Sequence, residues 1–359
     1  MIDIVVFIAS YLGAVLLVRR MSGRSKVAGF CNEERQGDNA PLVSIIVPAR
    51  NEAKTLPHLL PSLFALSYPR KEIIVVDDQS SDGTGELARK LGAIVVTALD
   101  RPAGWLGKQW ACQSGANRAG GEWLLFTDAD TTHYQNSLEE ILRFSIDRRL
   151  DMATCLPFHQ CKRWWEKLLG PFHFMLLTST APYGEQKVGR TFAIGQYLLF
   201  RGDFYRELGG HSSVKGEMVE DLPLANVCLE IGGRYGVFNS RPLFSVRMYD
   251  SLEEFVAGWR RNFRAGMTGS SKVAIVEMFL LVAMWTGGGH LLASFWWALP
   301  CMIGAVFLIF NQRRLGDFSV LGPVFFPFSL GLFCWISSLA AFDQLMGRAL
   351  IWKGREYQS

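Results

Sequence analysis

The sequence predicts an α/β domain on a mixed, mostly parallel sheet, carried between membrane-crossing apolar helices at the two ends of the chain. Three observations lead to that expectation. Charge-free apolar runs lie near both ends, strand and helix patterns alternate between them, and the acidic residues of the middle gather in loops that follow strands. Composition points the same way: 49% of the 359 residues are hydrophobic and 19% are charged, against about 25% charged in an ordinary soluble domain. With 25 Phe and 11 Trp the chain is too aromatic to be disordered.

The first run is Ile4–Val18, fifteen residues without a charge, followed at once by Arg19 and Arg20. A secretory signal would carry its basic residues before the run. Residues 1–20 therefore read as an uncleaved anchor with its basic end on the cytoplasmic side. Residues 21–40 are polar and read as a linker.

The expected α/β domain occupies residues 41–270. Leu42–Val47 is a continuous apolar strand, as in a sheet covered on both faces. A helix opened by Asn51-Glu52 carries Leu56, Leu59, Leu60, Leu63 and Leu66 at helical spacing, and Tyr68-Pro69 stops it. Glu72–Val76 is the second strand, followed by a turn-rich loop from Asp77 to Gly83. Thr84–Leu91 is a helix closed by Gly92, Ala93–Thr97 a strand, Lys108–Ala119 a helix and Trp123–Thr127 a strand. A mainly parallel sheet binds its ligand at the carboxyl ends of its strands.

The C-terminal part, residues 273–345, reads as membrane segments. No Asp, Glu, Lys or Arg occurs between Glu277 and Arg313, a stretch too long for a single crossing, and Gly287-Gly288-Gly289 offers the break. A further run, Phe318–Phe342, contains Pro323 and Pro327 and is expected to be kinked or re-entrant. Residues 346–359 form a basic tail.

The net charge of +4 is spread along the chain, and no basic run interleaved with aromatics marks a nucleic-acid surface. Seven cysteines, an odd number with no C-x-x-C pair, fit a reducing compartment. His159, Cys161 and His173 do not have the spacing of a standard zinc site. The segment from Lys162 through Trp164-Trp165 to Leu177 mixes cations, Trp and a bulky apolar run, and reads as an interfacial helix along which a lipid could approach.

Unusual polar residues gather at the strand ends: Arg50, Asn51 and Glu52 after the first, Asp77 and Asp78 after the second, Asp128-Ala129-Asp130 after the fourth. A sheet edge crowded with carboxylates invites a divalent cation, and the cation recruits phosphate.

These segments carry a resemblance. Pro48-Ala49-Arg50-Asn51-Glu52, the run from Val75 to Thr84, Gly104-Trp105-Leu106-Gly107-Lys108, Asp128-Ala129-Asp130 and Glu220-Asp221 together resemble the family 2 glycosyltransferases, inverting enzymes of GT-A fold, over residues 41–265. Within that family the pattern looks like the membrane-bound glucosyltransferases of carotenoid and other lipid pathways, such as the diaponeurosporenoate glycosyltransferases. Gly107-Lys108, Trp110-Ala111-Cys112 and Phe126-Thr127-Asp128-Ala129-Asp130-Thr131 echo them.

The resemblance implies a UDP-sugar donor, a Mg²⁺ or Mn²⁺ ion, a lipid acceptor and a place in the cell membrane with the catalytic domain in the cytoplasm. Asp130 would ligate the ion directly, with Asp128 nearer the ribose and the metal-bound water. Pro48, Arg50, Glu52 and Asp78 would surround the nucleoside, and Lys108 would add positive charge beside the nucleotide. Asp221 would be the base, with Glu220 supporting it, and Gly195-Gln196 would line the sugar or acceptor pocket. The family's processive members carry a Q/R-x-x-R-W segment after the base. Here Phe255–Asn262 holds Trp259, Arg260 and Arg261 in a different order, which weakens a processive reading although these three would still close over the diphosphate. A processive polysaccharide or lipid-carrier transferase is the nearest alternative, and a non-catalytic nucleotide-sugar-binding membrane subunit the more distant one.

Overall fold

The computed structural model describes residues 2–21, 40–98, 100–180, 182, 186–189, 191–217, 219–269, 272–286, 295–348, 350–352 and 355–357. The anticipated linker, Cys31, the Gly287–Gly289 break and part of the basic tail lie outside the described residues.

The helix α1 (Ile2–Met21) opens the chain. Then come β1 (Val43–Ala49), α2 (Leu56–Phe64), β2 (Lys71–Asp77), α3 (Thr84–Lys90), β3 (Ile94–Thr97), α4 (Gly107–Arg118), β4 (Trp123–Thr127), β5 (Thr131–His133) and α5 (Ser137–Asp147). They are followed by β6 (Met152–Cys155), β7 (Phe158–His159), α6 (Gly170–Thr180), β8 (Tyr197–Arg201), α7 (Gly202–Glu207), α8 (Asp221–Glu230), β9 (Tyr235–Phe238) and β10 (Phe244–Val246). Last are α9 (Leu252–Gly269), α10 (Lys272–Thr286), α11 (Phe295–Asn311), α12 (Phe326–Leu345), β11 (Leu350–Trp352) and β12 (Arg355–Tyr357). Two compact units divide these elements. A sheet unit comprises Ser25–Phe158 and Gln186–Val246; a helical unit comprises Met1–Arg24, His159–Glu185 and Arg247–Ser359.

The sheet unit holds a seven-stranded sheet in the order β3-β2-β1-β4-β8-β6-β9. Neighbours run parallel except that β8 is antiparallel to both β4 and β6. Val43, Ile45, Ile46 and Val47 of β1 are fully buried, because helices cover both faces. Gly115 lets α4 lie flat on the sheet: a Cβ there would come 2.5 Å from Ile46 and 2.8 Å from Val76. The α2 helix starts at Leu56 rather than at the expected Asn51-Glu52. Asn51 has φ 54°, a left-handed conformation that makes a turn and postpones the helix.

Register sets the site. Ala49 pairs Asp77 and Asp77 pairs Thr97, so β1, β2 and β3 end together, and Ile46 pairs Phe126, so β4 ends close to the same edge, slightly before them. The reversed β8 pairs Tyr197 with Thr127, which brings the start of β8, and with it Gly195-Gln196, to the edge where β4 ends.

In the helical unit, α1, α11 and α12 are long and apolar enough to cross a membrane, over Asp3–Met21, Phe295–Arg314 and Phe326–Leu345; α10 contributes a shorter apolar stretch, Val276–Thr286. Gly13 sits where α1 meets α10: a Cβ would lie 2.1 Å from the Leu280 carbonyl oxygen, so glycine sets how closely these helices approach. Arg20 pairs with Glu277, and the Tyr11 hydroxyl donates to the Trp296 carbonyl at 2.8 Å.

Two expectations for this unit are corrected. Lys162–Leu177 is not one interfacial helix: it is a turn with a 3₁₀ stretch at Glu166–Leu168, then α6, whose Phe172, Phe174 and Met175 are buried. Glu166 Oε2 accepts the backbone N–H groups of Lys162 and Arg163, which holds the turn and keeps the helix from starting earlier. Nor do both prolines interrupt a span. Pro323 lies in the turn before α12, and Pro327 stands in the first turn of that helix, where its missing N–H has no helical partner to lose.

Candidate active site

The edge where β1, β2 and β4 end is built by short loops bound to one another. Asn51 and Gln79, with φ 54° and 55°, turn the chain in the left-handed region just past β1 and β2. The Asn51 N–H donates to Ser80 Oγ at 3.0 Å, and its side-chain oxygen accepts the Ser81 N–H at 2.9 Å. The Glu52 N–H donates to Thr84 Oγ1 at 2.8 Å, and Arg50 Nη1 donates to the Asp78 carbonyl at 2.8 Å. Asp78 itself is buried, 3% exposed. Arg50, Glu52 and Asp78 thus occupy one pair of interlocked loops, and Pro48 is the next-to-last residue of β1 beside them.

The Asp128–Asp130 turn is pinned from below. Thr131 Oγ1 donates to the Asp128 carbonyl at 2.8 Å, and Thr127 Oγ1 donates to the Gln196 carbonyl at 2.9 Å. With that hydroxyl proton committed, His133 Nε2 at 2.9 Å is the donor to Thr127 Oγ1. Burial pushes His133 down to about 3, so the ring is neutral and serves the turn rather than acid–base chemistry.

Lys108 stands at the start of α4 and joins two halves of the site. Its Nζ is 2.8 Å from Asp128 Oδ1 and 3.0 Å from Glu220 Oε1. Burial works against its charge, but the two carboxylates outweigh it and hold its pKa well above the lysine range. Glu220, buried at 6% exposure, is in turn held below the usual carboxylate range, because Lys108 and then His211 outweigh its desolvation.

Asp221 opens α8. Its Oδ2 accepts the Gly195 N–H at 2.8 Å and its Oδ1 accepts the Leu222 N–H at 2.8 Å. Burial and then the negative Glu220 beside it push its pKa up to about 6, with Lys108 and the two N–H donors pulling the other way. A carboxylate so raised is a better proton acceptor than an exposed one.

Asp130 differs from Asp128. Its Oδ1 is buried without a hydrogen-bond partner, and burial followed by the charges of Asp128 and Glu52 pushes its pKa up to about 7. An unpaired buried carboxylate oxygen beside two further acids fits a divalent cation, which would supply the missing partner and the missing charge. Among the described residues no group of three His, Cys, Asp or Glu forms a protein-only metal cage.

The structure brings Lys108, Asp128, Gly195, Glu220 and Asp221 into direct contact. Gln196 follows Gly195, buried, with Oε1 lacking a hydrogen-bond partner. Trp259, Arg260 and Arg261 belong to α9 of the helical unit. There Trp259 packs on Phe172 and Phe255, and Arg260 makes a two-pronged pair with Asp343 of α12.

Sequence reading missed Gln109. Its Nε2 donates to the Val214 carbonyl at 3.0 Å and the Glu217 carbonyl at 2.6 Å, and its Oε1 accepts the Gly216 N–H at 3.1 Å. One buried amide therefore fastens the loop that leads into Glu220-Asp221. Its partners lie more than a hundred residues away, so nothing local announces the role. His211 is buried against Phe126, with Tyr205 Oη 2.6 Å from Nδ1, and burial pushes it down to about 4.

Residues 44–209 match the model of glycosyl transferase family 2. The 4,4'-diaponeurosporenoate glycosyltransferase of Staphylococcus aureus (strain USA300) is 27% identical over 377 residues, covering 99% of this chain and 96% of the relative. The protein of the same name from strain MRSA252 is 27% identical over 376 residues, with the same coverage. Among solved structures, the mannosyltransferase PcManGT of Pyrobaculum calidifontis, in complex with GDP-Man and Mn²⁺, superposes with a TM-score of 0.55 at 17% identity, covering 96% of each chain. The mixed, mostly parallel sheet is accordingly of GT-A type. The match to glycosyl transferase family 2 thus covers β1 to α7, and the GT-A fold is shared over nearly the whole length of the chain.

Proposed function

We propose that the chain is a membrane-bound, metal-dependent, inverting hexosyltransferase that moves glucose from UDP-glucose to a lipid, a carotenoid or related terpenoid. It would work from the cytoplasmic face of the cell membrane. The observation that carries this reading is the single cluster in which Lys108 ties Asp128, at the end of β4, to Glu220, beside Asp221. Donor carboxylates and base are held at a fixed separation by one cation, as a single displacement requires.

In that displacement the acceptor oxygen bonds to the anomeric carbon as the bond from that carbon to the diphosphate oxygen breaks. The configuration therefore inverts. Asp221 takes the acceptor proton, its lone pairs oriented by the Gly195 and Leu222 N–H groups. Pro48, Arg50, Glu52 and Asp78 hold the nucleoside, with the buried Asp78 accepting from a uracil N–H. A Mg²⁺ or Mn²⁺ ion held by Asp130, with Asp128, would offset the negative charge that develops on the leaving diphosphate. Within the helical unit, Arg260 has a carboxylate partner in Asp343 and fixes α9 against α12.

Three helices long and apolar enough to cross a membrane support an integral, multi-pass location with residues 1–20 as the first anchor. The name of the Staphylococcus aureus relatives, which specifies a carotenoid acid, supports a terpenoid acceptor. The test is mass spectrometry of lipids from cells with and without the chain, paired with transfer from UDP-glucose in the presence of Mn²⁺ or a chelator. A singly hexosylated lipid that vanishes on chelation is expected. A long polymer, or transfer indifferent to chelation, would overturn the reading.

A further inference from the structure

We propose that the turn between α11 and α12, together with the Lys162–Leu168 loop bound to it, is a docking surface for anionic phospholipid headgroups. The inference rests on the membrane reading above and names the lipid chemistry it engages.

The two segments form one body within the helical unit. The Ser319 N–H donates to the Lys167 carbonyl at 2.8 Å, Ser329 Oγ donates to the Leu168 carbonyl at 2.7 Å, and Gln312 Nε2 donates to the Ser319 carbonyl at 3.0 Å. Trp164 lies with its ring 6.4 Å from that of Phe328. A Cβ at Gly322 would fall 3.2 Å from the Ser319 carbonyl oxygen and 3.3 Å from that of Leu168, so glycine permits this close seating.

What this body presents outward has two layers. Its apolar layer is Trp164, Leu321, Val324 and Phe325, exposed at 72%, 51%, 64% and 53%. Its charged layer is Lys162, Arg163, Lys167, Arg313 and Arg314, all exposed, against one exposed acid, Asp317. Glu166 does not oppose them, because it is buried and spends its carboxylate on the Lys162 and Arg163 N–H groups. A soluble surface rarely exposes so many large apolar side chains together.

The chain itself says what lies against them. The turn joins the ends of two helices long and apolar enough to cross a bilayer, so it stands at the depth where hydrocarbon gives way to headgroups. Apolar side chains and an indole there enter the acyl boundary, while long cationic side chains reach back to phosphate. Each cation near an anionic surface contributes about 1 kcal/mol. Anionic phospholipid meets both layers; a zwitterionic lipid meets only the first.

The full chain, reconstituted in nanodiscs of phosphatidylcholine alone or of phosphatidylcholine with phosphatidylglycerol, tests this by hydrogen exchange. Peptides covering 162–168 and 319–325 are expected to exchange several-fold more slowly in the anionic discs. The difference should disappear when Lys162, Arg163, Arg313 and Arg314 are each changed to Gln, and invert when each is changed to Glu. Equal protection in both lipids, or a difference that survives the Gln variant, overturns the headgroup site while leaving the membrane reading intact. Flotation after an alkaline wash separates the two: a chain that washes off the vesicles overturns both together.

Discussion

The backbone N–H of Gly195 donates to Oδ2 of Asp221 across 2.8 Å, and that one bond links the start of β8 to the start of α8. Because β8 runs against its neighbours, its first residues reach the edge where the parallel strands end. There the N–H orients a carboxylate that burial and Glu220 have pushed up to about 6.

Substitution at Gly195 should separate chemistry from folding. A Cβ would lie 3.1 Å from Lys108 Nζ, 3.2 Å from Glu220 Oε1 and 3.6 Å from Asp221 Oδ2, ends of side chains that can give way only by leaving their partners. Gly195→Ala is expected to melt close to the parent temperature yet transfer sugar about 10²-fold more slowly. An unchanged turnover would show that the geometry around Asp221 is not critical.

Asp221→Asn keeps the size and one acceptor oxygen but removes the proposed base. Transfer to a hydroxyl acceptor is expected to fall by about 10²–10⁴-fold, with nucleotide-sugar affinity nearly unchanged when measured by calorimetry. A large loss of donor affinity would reassign Asp221 to binding.

The pH profile follows from the same residue. With its pKa raised to about 6, Asp221 is protonated below that pH, so the rate on a hydroxyl acceptor should drop about tenfold per unit as pH falls below 6. The acid limb should be absent in Asp221→Asn. It should also be weak when the acceptor is a carboxylate, which brings no proton to remove. A profile flat from 5 to 8 with a hydroxyl acceptor would exclude Asp221 as the base.

Lys108→Met leaves Asp128 and Glu220 facing each other without their shared cation. A loss of about 1–3 kcal/mol in stability is expected, below the full value for a deeply buried pair because the lysine is partly solvated. Since Lys108 also pulls the Asp221 pKa down, the acid limb of the pH profile should move upward in this variant. An unmoved limb would mean that Lys108 and Asp221 are not electrostatically coupled.

Gln109→Leu preserves volume while stranding the carbonyls of Val214 and Glu217 and the N–H of Gly216. The expected loss is about 2–4 kcal/mol, visible as a lower melting temperature. Turnover should fall more than donor affinity, because the loop leads to Glu220-Asp221 and not to the loops of Arg50 and Asp78 proposed to hold the nucleoside. A lower donor affinity with normal turnover would contradict this placement.

Much of the fold could be read from sequence because the forces that fix it are local and periodic. Leu42–Val47 is apolar apart from Ser44 since a sheet covered on both faces demands it, and the helix of Leu56–Leu63 shows its spacing because one face is buried. The acids after β1, β2 and β4 stand at strand ends by order alone, and the charge-free runs mark apolar segments at both ends of the chain without fixing their number. Reading failed where a residue's meaning depends on a distant partner. The buried Phe172, Phe174 and Met175 of α6 look like an interfacial face until α10, α11 and α12 pack around them.

Sequence by itself determined the chemistry at hand: carboxylates at a strand edge, an acid pair before a helix and apolar helices at both ends. Only the tertiary structure decided how those groups act on one another. The reversal of β8 puts a glycine N–H on Asp221, and α4 places Lys108 between Asp128 and Glu220 and Gln109 on the loop beyond. Burial gives the Asp130 oxygen no partner and raises two carboxyls toward neutrality. The physical reason is that pKa and orientation are set by desolvation and by charges a few ångströms away, and those distances exist only after the chain has folded.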